Sequence, residues 1–176
     1  MQEADKEMIY RAVSLQLNEW YGEELKHKGA CLYWMQLTLI ALRRLGLRAL
    51  PQAGTMHWRF VPPEMDDGKC AMWFGYEWSP ENDLSKFAIQ HGLVPEIHCW
   101  IGLPDTNEIV DFSTRYVQEQ AEREGYRWLA PVPPDYIWCQ ADQLPDGVFY
   151  KPEIDAINFT LRFIAEKFTQ PKGQAA

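Results

Sequence analysis

The sequence predicts one α+β domain, in which a central apolar helix packs on an antiparallel β-sheet. Two observations indicate this class: helical periodicity towards both ends of the chain, and an alternating hairpin pattern in its middle. The 176 residues, 47% of them hydrophobic, are enough for one substantial core. No internal repeat, low-complexity block or linker interrupts the pattern. We therefore expect a single domain over residues 1–176.

Helices are predicted where apolar residues recur at three- and four-residue steps. The first helix covers residues 4–21. The second runs from about Ala30 to Leu45, and because it is apolar on nearly every side we expect it to be central. A short polar helix is predicted over 115–124, and an amphipathic helix over 152–168. The apolar stripe of that last helix consists of Ile154, Ile157, Leu161 and Ile164.

Strand formers follow the second helix. Residues 47–61 predict two short strands or one broken strand, with Pro51 and Gly54 as the interruptions. Residues 70–78 predict another strand. One or two edge strands are expected among the prolines of residues 129–150.

Residues 62–95 separate these early strands from the hairpin. Within this segment, Ser79 and Pro80 suit the N-cap and first position of a helix that ends near His91. The segment is predicted to be an insertion, either a lid over a cleft or a structural addition, and both interpretations stay open. The tail, residues 169–176, is expected to be mobile.

The charge and composition exclude several classes of function. The net charge of −8 argues against nucleic acid as a partner, because phosphate binding requires a basic surface. The apolar segment Leu37–Leu42 is too short to cross a bilayer, so no membrane association is predicted. The first eight residues, MQEADKEM, have no apolar core of a signal peptide. We therefore expect a cytoplasmic protein.

The cysteines do not predict a metal site. The chain has four, Cys31, Cys70, Cys99 and Cys139, at wide and irregular spacings without a CxxC pair. A structural zinc site and a disulfide framework are both disfavoured by this pattern. No metal and no cofactor are predicted, and Cys70 and Cys139 are expected in the core.

Cys31 is the candidate nucleophile. It lies in the first turn of the second predicted helix, shortly after Lys26, His27 and Lys28. A thiol at a helix N-terminus beside cations can have its pKa lowered from about 8.5 to roughly 3.5–7.5. The alternative is an inert cysteine that packs as a small apolar residue.

A predicted hairpin over residues 96–112 supplies two partners for a thiol. His98 lies on its first strand and Asp111 on its second. A turn of two or four residues near Asp105 and Thr106 would place both side chains on one face, opposite or one diagonal step apart. A carboxylate so placed can orient an imidazole. The alternative is a structural His–Asp pair. Cys99, next along the strand, is predicted to face the core.

Four short motifs, in order, resemble the transglutaminase-like superfamily of cysteine enzymes, which have a papain-like fold. They are Gly29-Ala30-Cys31, Leu45-Gly46-Leu47-Arg48-Ala49, His98-Cys99-Trp100 and Ile109-Val110-Asp111. The resemblance covers residues 29 to about 113, with a gap. It departs from the family where Phe112-Ser113-Thr114 replaces the usual Pro-Thr after the acid.

The resemblance implies a Cys31–His98–Asp111 triad that reacts through a thioester. The backbone N–H of Cys31 would be one oxyanion donor, and Trp20 or Gln16 the second. Trp34, His57 and Trp100 are candidates for contacting substrate. Core packing is the alternative for Trp34, and His57 is a weaker rival base because no carboxylate follows it at hairpin spacing.

Three functions are compatible with this sequence. The first is a cysteine hydrolase of amide bonds in peptides, proteins or small amides. The second is an acyltransferase of transglutaminase type, which passes the acyl group to an amine. The third is a non-catalytic binding domain, because a fold does not determine a function.

Overall fold

The computed structural model describes residues 1–26, 29–62, 65, 72–79, 81–91 and 93–168. Its helices are α1 (Glu3–Tyr21), α2 (Cys31–Arg44), α3 (Asp83–Gln90), α4 (Val117–Arg123) and α5 (Ile154–Phe168). Its strands are β1 (Leu50–Arg59), β2 (Trp73–Tyr76), β3 (His98–Leu103), β4 (Glu108–Asp111), β5 (Ile137–Gln140) and β6 (Val148–Pro152). Short 3₁₀ helices cover Gly22–Lys26 and Thr114–Tyr116. Among these described residues, no helix has both the length and the apolar character needed to cross a membrane.

The strands described here form one antiparallel sheet in the order β2-β1-β3-β4-β5, and β6 also pairs with β1. β3 pairs with the first half of β1, from Leu50 to Gly54. β6 continues along β1 from Gly54 to Trp58. Helices and an antiparallel sheet in one unit confirm the predicted α+β class.

The helix α2 is central, as its apolar character predicted. It packs against α1 on one side and against β3 on the other. The sheet separates two groups of buried side chains, because residues of a strand alternate between its faces. Cys99 and Ile101 of β3 lie on the face covered by α2, whereas Trp100 lies on the other face with Met56 and Trp58.

Gly54 has no room for a side chain. It lies where β3 and β6 meet along β1, opposite both His98 and Pro152. A Cβ atom at this position would be 2.2 Å from the backbone oxygen of Lys151. The missing side chain therefore lets β6 approach β1 directly beside His98.

Two predicted elements differ from the structure. Residues 50–59 form one continuous strand, β1, where two short strands or one broken strand were predicted. The helix expected from Ser79 begins at Asp83, because the side chain of Asn82 accepts a hydrogen bond from Leu84 N at 2.8 Å and caps the helix there. The predicted first position, Pro80, lies outside the described residues.

The apolar stripe predicted for α5 was wrong in part. Ile154 is 69% exposed and Leu161 is 45% exposed, whereas Ala156 and Thr160 are buried. The small side chains of Ala156 and Thr160 allow α5 to lie close to the sheet, and Thr160 Oγ1 is 3.8 Å from Cys99 Sγ. The helix thus exposes Ile154 and Leu161 and packs on the core through other residues: Ala156, Thr160 and the partly buried Ile157, Phe159, Phe163 and Ile164.

In its described part, the segment 62–95 contains two regular elements, the strand β2 and the helix α3. β2 pairs with β1 and so belongs to the main sheet. Two predictions fall outside the described residues: the core position of Cys70 and the mobile tail 169–176. His27 and Lys28 also lie outside them.

Candidate active site

The hairpin β3–β4 brings His98 and Asp111 together. Leu103 pairs with Glu108 and Ile101 with Val110, so four residues form the turn. This register places Asp111 one diagonal step from His98, which is the predicted arrangement. His98 Nε2 and Asp111 Oδ2 are 2.6 Å apart, and both side chains are almost fully buried.

Four hydrogen bonds fix the carboxylate of Asp111. Its Oδ2 accepts from His98 Nε2 and from the Tyr150 hydroxyl at 2.7 Å. Its Oδ1 accepts from the backbone N–H of Ser113 at 2.9 Å and from the Ser113 hydroxyl at 2.7 Å. Burial alone would raise the pKa of Asp111, but His98 and Ser113 outweigh burial and lower that pKa below its ordinary value. The carboxylate is therefore ionised and held in one orientation.

Tyr150 and Ser113 were not found by sequence reasoning. Ser113 lies two residues after Asp111, a spacing at which an aspartate often accepts a hydrogen bond from the chain, so a local signal existed. Tyr150 comes from β6, which reaches the site only through its pairing with β1. Burial raises the pKa of Tyr150, with a further contribution from Asp111, so its hydroxyl stays protonated as a donor.

Cys31 is the first residue of α2. Gly29 precedes it with a φ of +87°, a left-handed conformation that favours glycine. The next turn is closed by hydrogen bonds from the N–H groups of Tyr33 and Trp34 to the carbonyl oxygen of Ala30. The Cys31 side chain is 8% exposed, and its sulfur is 4.0 Å from the backbone oxygen of Ile97. The start of α2 therefore faces the start of β3.

Cys31 and His98 line the same small cavity, whose volume is about 10 Å³. Tyr76 and Gln120 also line it; the Tyr76 hydroxyl donates a hydrogen bond to Gln120 Oε1, and the Tyr76 ring stacks on the His98 ring at 5.7 Å. This volume is at the lower limit for one water molecule. The site is closed in this structure, and Tyr76 forms part of its cover.

The second ring nitrogen of His98, Nδ1, is buried and makes no hydrogen bond of ordinary geometry to any described residue. Because Nε2 is bound to Asp111, Nδ1 is the atom of the ring left to exchange a proton with the Cys31 thiol. Catalytic hydrogen bonds are commonly long or poorly aligned before a substrate binds.

The electrostatic environment favours a thiolate beside an imidazolium. A hydrogen bond from Cys99 and the interaction with His98 lower the pKa of Cys31 from 9.0 to about 5, against the opposing effect of burial. Burial would lower the pKa of His98, but Asp111 and Cys31 raise it from 6.5 to about 10. Between these two values Cys31 is deprotonated and His98 is protonated.

Cys99 is a second thiol at the nucleophile. The sequence correctly placed it on the core face of β3, but α2 covers that same face, and the Cys99 thiol meets the Cys31 sulfur there. Burial and the neighbouring Cys31 raise the pKa of Cys99 well above its ordinary value. Cys99 therefore remains protonated beside the Cys31 thiolate.

Replacing Cys99 with alanine should raise the pH at which Cys31 becomes reactive. The variant loses the largest influence that lowers the pKa of Cys31, so the midpoint of its alkylation should move upward from about 5. The measurement is the rate of Cys31 carbamidomethylation against pH, followed by peptide mass. Cys139→Ala, which removes a half-buried thiol of β5, is the control and should leave the midpoint unchanged. An unchanged midpoint in Cys99→Ala would contradict this role.

The structure does not bring Trp20 or Gln16 to Cys31. Both side chains line a groove on the outer surface between α1 and α2, where Trp20 is 58% exposed and Gln16 Nε2 donates to Glu19 Oε2 at 3.2 Å. The face of α1 that packs inward carries Val13 and Leu17, and Gln16 and Trp20 project away from it. The expectation that either residue supplies the second oxyanion donor is not supported.

The candidates for substrate contact have different positions. Trp34 is buried in the core and stacks with Tyr10 at 6.4 Å, so it supports the fold. His57 lies on β1, its ring is 6.1 Å from that of Phe149, and it is not among the residues that line the cavity at Cys31. Trp100 is also buried, and its ring stacks on that of His98 at 6.1 Å. Trp100 therefore holds the imidazole in place.

No group of three or more histidine, cysteine, aspartate or glutamate side chains, within the part of the chain that the structure describes, is arranged to hold a metal ion. The candidate site consists of the Cys31, His98 and Asp111 side chains, with Tyr76 lining its cavity and Tyr150 bound to Asp111.

The fold and the site together define an α+β domain with a buried Cys–His–Asp cluster at the start of a central helix. In comparisons with known proteins, the chain matches no family model, no curated protein and no solved structure. The resemblance to transglutaminase-like enzymes therefore stays a prediction from the motifs of this chain.

Proposed function

We propose that the protein is a cysteine-dependent amide hydrolase of transglutaminase-like, papain-like fold, with Cys31, His98 and Asp111 as its triad. The observation that carries the proposal is the arrangement around His98. One ring nitrogen is bound to the ionised Asp111, and the ring lines the same cavity as the first residue of α2, Cys31. An oriented imidazole beside a thiol at a helix N-terminus is the arrangement that activates a nucleophile.

The reaction begins with attack of the Cys31 thiolate on the carbonyl carbon of an amide. The backbone N–H of Cys31, at the positive end of the α2 dipole, donates to the developing oxyanion. His98 passes its Nδ1 proton to the leaving amine, and a thioester remains on Cys31. Water then attacks the thioester while His98 Nδ1 takes the proton of that water, which releases a carboxylic acid.

Asp111 contributes to these reaction steps by fixing the tautomer of His98. Because its Oδ2 accepts from Nε2, the exchangeable proton is confined to Nδ1, on the side of the thiol. The hydrogen bonds from Tyr150 and Ser113 prevent the carboxylate from turning away.

Acyl transfer to an amine is the second candidate. The cavity at Cys31 has a volume of about 10 Å³, so the site must open before an acyl group can reach the thiol. An amine that enters with the opening of the site would then compete with water for the thioester.

The test is the formation of the thioester. With 4-nitrophenyl acetate in excess, we expect a burst of about one nitrophenolate per protein and the mass of one added acetyl group on the peptide that contains Cys31. Repeating the reaction with glycine ethyl ester separates the two functions: the free acid is the product of a hydrolase and the amide that of an acyltransferase. Without a burst and an acyl adduct at Cys31, both enzymatic functions would be rejected in favour of a binding domain.

A further inference from the structure

A second cavity adjoins the thiol and has no role in the mechanism above. Its volume is about 270 Å³, and it lies between α3 and the chain segment that leads into β3. Its apolar lining consists of Leu84, Ala88, Val94, Pro95 and Ile97. This volume is close to the lower end of the range for small-molecule sites and suits one side chain or a short alkyl chain.

The larger cavity lies next to the small cavity that contains Cys31. Gly29 and Tyr76 line both this cavity and the small one at Cys31. Ile97, which lines the larger cavity, has its backbone oxygen 4.0 Å from Cys31 Sγ. The two cavities therefore share two lining residues, and the larger cavity lies next to the sulfur of Cys31.

The helix α3 presents its apolar side to the outside beside this cavity. It buries Ser85, while Leu84 is 74% exposed and Phe87, three residues later on the same face, is 55% exposed. Leu93, just beyond the helix, is 54% exposed. Exposed apolar side chains grouped at one site are typical of a surface that binds an apolar ligand.

We propose that this cavity binds the apolar chain of the acyl group, next to the carbonyl carbon that Cys31 attacks. The inference rests on the proposed function and specifies its substrate: an amide whose acyl part carries an uncharged aliphatic chain. Glu96 contributes an exposed carboxylate to the lining, and the whole chain carries a net charge of −8. Both features disfavour an anionic chain.

The experiment uses chloromethyl ketones that differ only in their alkyl chain: methyl, propyl, pentyl and heptyl. Each places its chain on the acyl side of a carbonyl and alkylates a thiol without any turnover. Burial of one methylene corresponds to about a fourfold gain, so the rate of Cys31 alkylation should rise by about that factor per methylene until the cavity is full. Iodoacetamide, which has no chain, is the reference reagent.

Two variants block the cavity in different ways. Ala88→Trp fills it, and Leu84→Asp places a charge at its exposed edge, where folding is not at risk. Both should abolish most of the gain from the longer chains and leave the iodoacetamide rate within about twofold of the parent. Ile154→Asp, which changes an equally exposed apolar residue of α5, is the matched control and should keep the full dependence on chain length.

The outcomes separate the two proposals. A rate that is independent of chain length in the parent protein, or a dependence that survives in both blocking variants, would overturn the acyl-chain site. If the dependence on chain length is present but no thioester forms from nitrophenyl esters, the binding site stands and the hydrolase proposal fails. If no ketone modifies Cys31, both proposals fail.

Discussion

Replacing Cys31 with alanine should abolish the burst of nitrophenolate and all acylation of the protein. The thiolate is the atom that attacks the carbonyl, and no other group in the cavity has its combination of charge and position. Cys99, a neighbouring thiol, stays protonated because burial raises its pKa. The measurement is burst amplitude and intact mass after reaction with 4-nitrophenyl acetate. The amplitude should fall from about one per protein to the background level.

The control for this prediction replaces a cysteine that lies away from the site. Cys139 lies on β5, half-buried. Cys139→Ala should retain the full burst. Loss of one sulfur from Cys31 should alter the free energy of unfolding by about 1 kcal/mol, which urea unfolding measures. An acyl adduct that persists in Cys31→Ala would show that another residue is the nucleophile.

Replacing Asp111 with asparagine should lower turnover by about 1,000- to 10,000-fold. The amide group cannot satisfy the donors that meet there. If its NH₂ occupies the position of Oδ2, it faces His98 Nε2 and forces the proton of the ring to Nδ1, which then cannot accept the proton of the thiol. If it occupies the position of Oδ1, it faces the backbone N–H of Ser113, another donor.

Folding must be followed alongside activity, because Asp111 is buried. An unpaired donor in this position costs about 1–3 kcal/mol, so the variant should remain folded with a lower denaturant midpoint. Asp105→Asn, in the exposed turn of the same hairpin, is the matched control and should change neither turnover nor stability appreciably. Unchanged turnover in a folded Asp111→Asn protein would make Asp111 purely structural.

The hairpin shows how much of the site was predictable. The alternation of β3 and β4 and the four-residue turn determine which side chains share a face, and both are local features of the sequence. The diagonal relation of His98 and Asp111 follows from them. The position of Cys31 at a helix start was equally local, because Gly29 ends the preceding turn.

Features that depend on distant packing were not predictable. Tyr150 reaches Asp111 because β6 pairs with β1, and Cys99 meets Cys31 because α2 covers one particular face of β3. Neither relation has a local sequence signal. The position of Trp20, in a groove apart from the cavity at Cys31, has the same cause: helical periodicity gives the apolar face of α1, but the face that turns towards Cys31 depends on how α1 packs on α2.

The lid hypothesis for residues 62–95 shows a third limit. Tyr76 of this segment lines the cavity of Cys31, as a residue of a lid would. The strand predicted within residues 70–78 corresponds to β2, which pairs with β1 and so belongs to the main sheet. Tyr76 thus belongs to a strand of the sheet and also forms part of the cover of the site. The composition of the segment does not distinguish this arrangement from a separate lid.

The central claim is that Cys31 is a thiolate paired with protonated His98 at neutral pH. The most direct measurement is the rate of Cys31 carbamidomethylation by iodoacetamide between pH 3 and pH 11, with the modified peptide quantified by mass. This account predicts a half-maximal rate near pH 5, where the lowered pKa places the titration of the thiol. A rate that rises only near pH 8.5, the value of an ordinary cysteine, would contradict it.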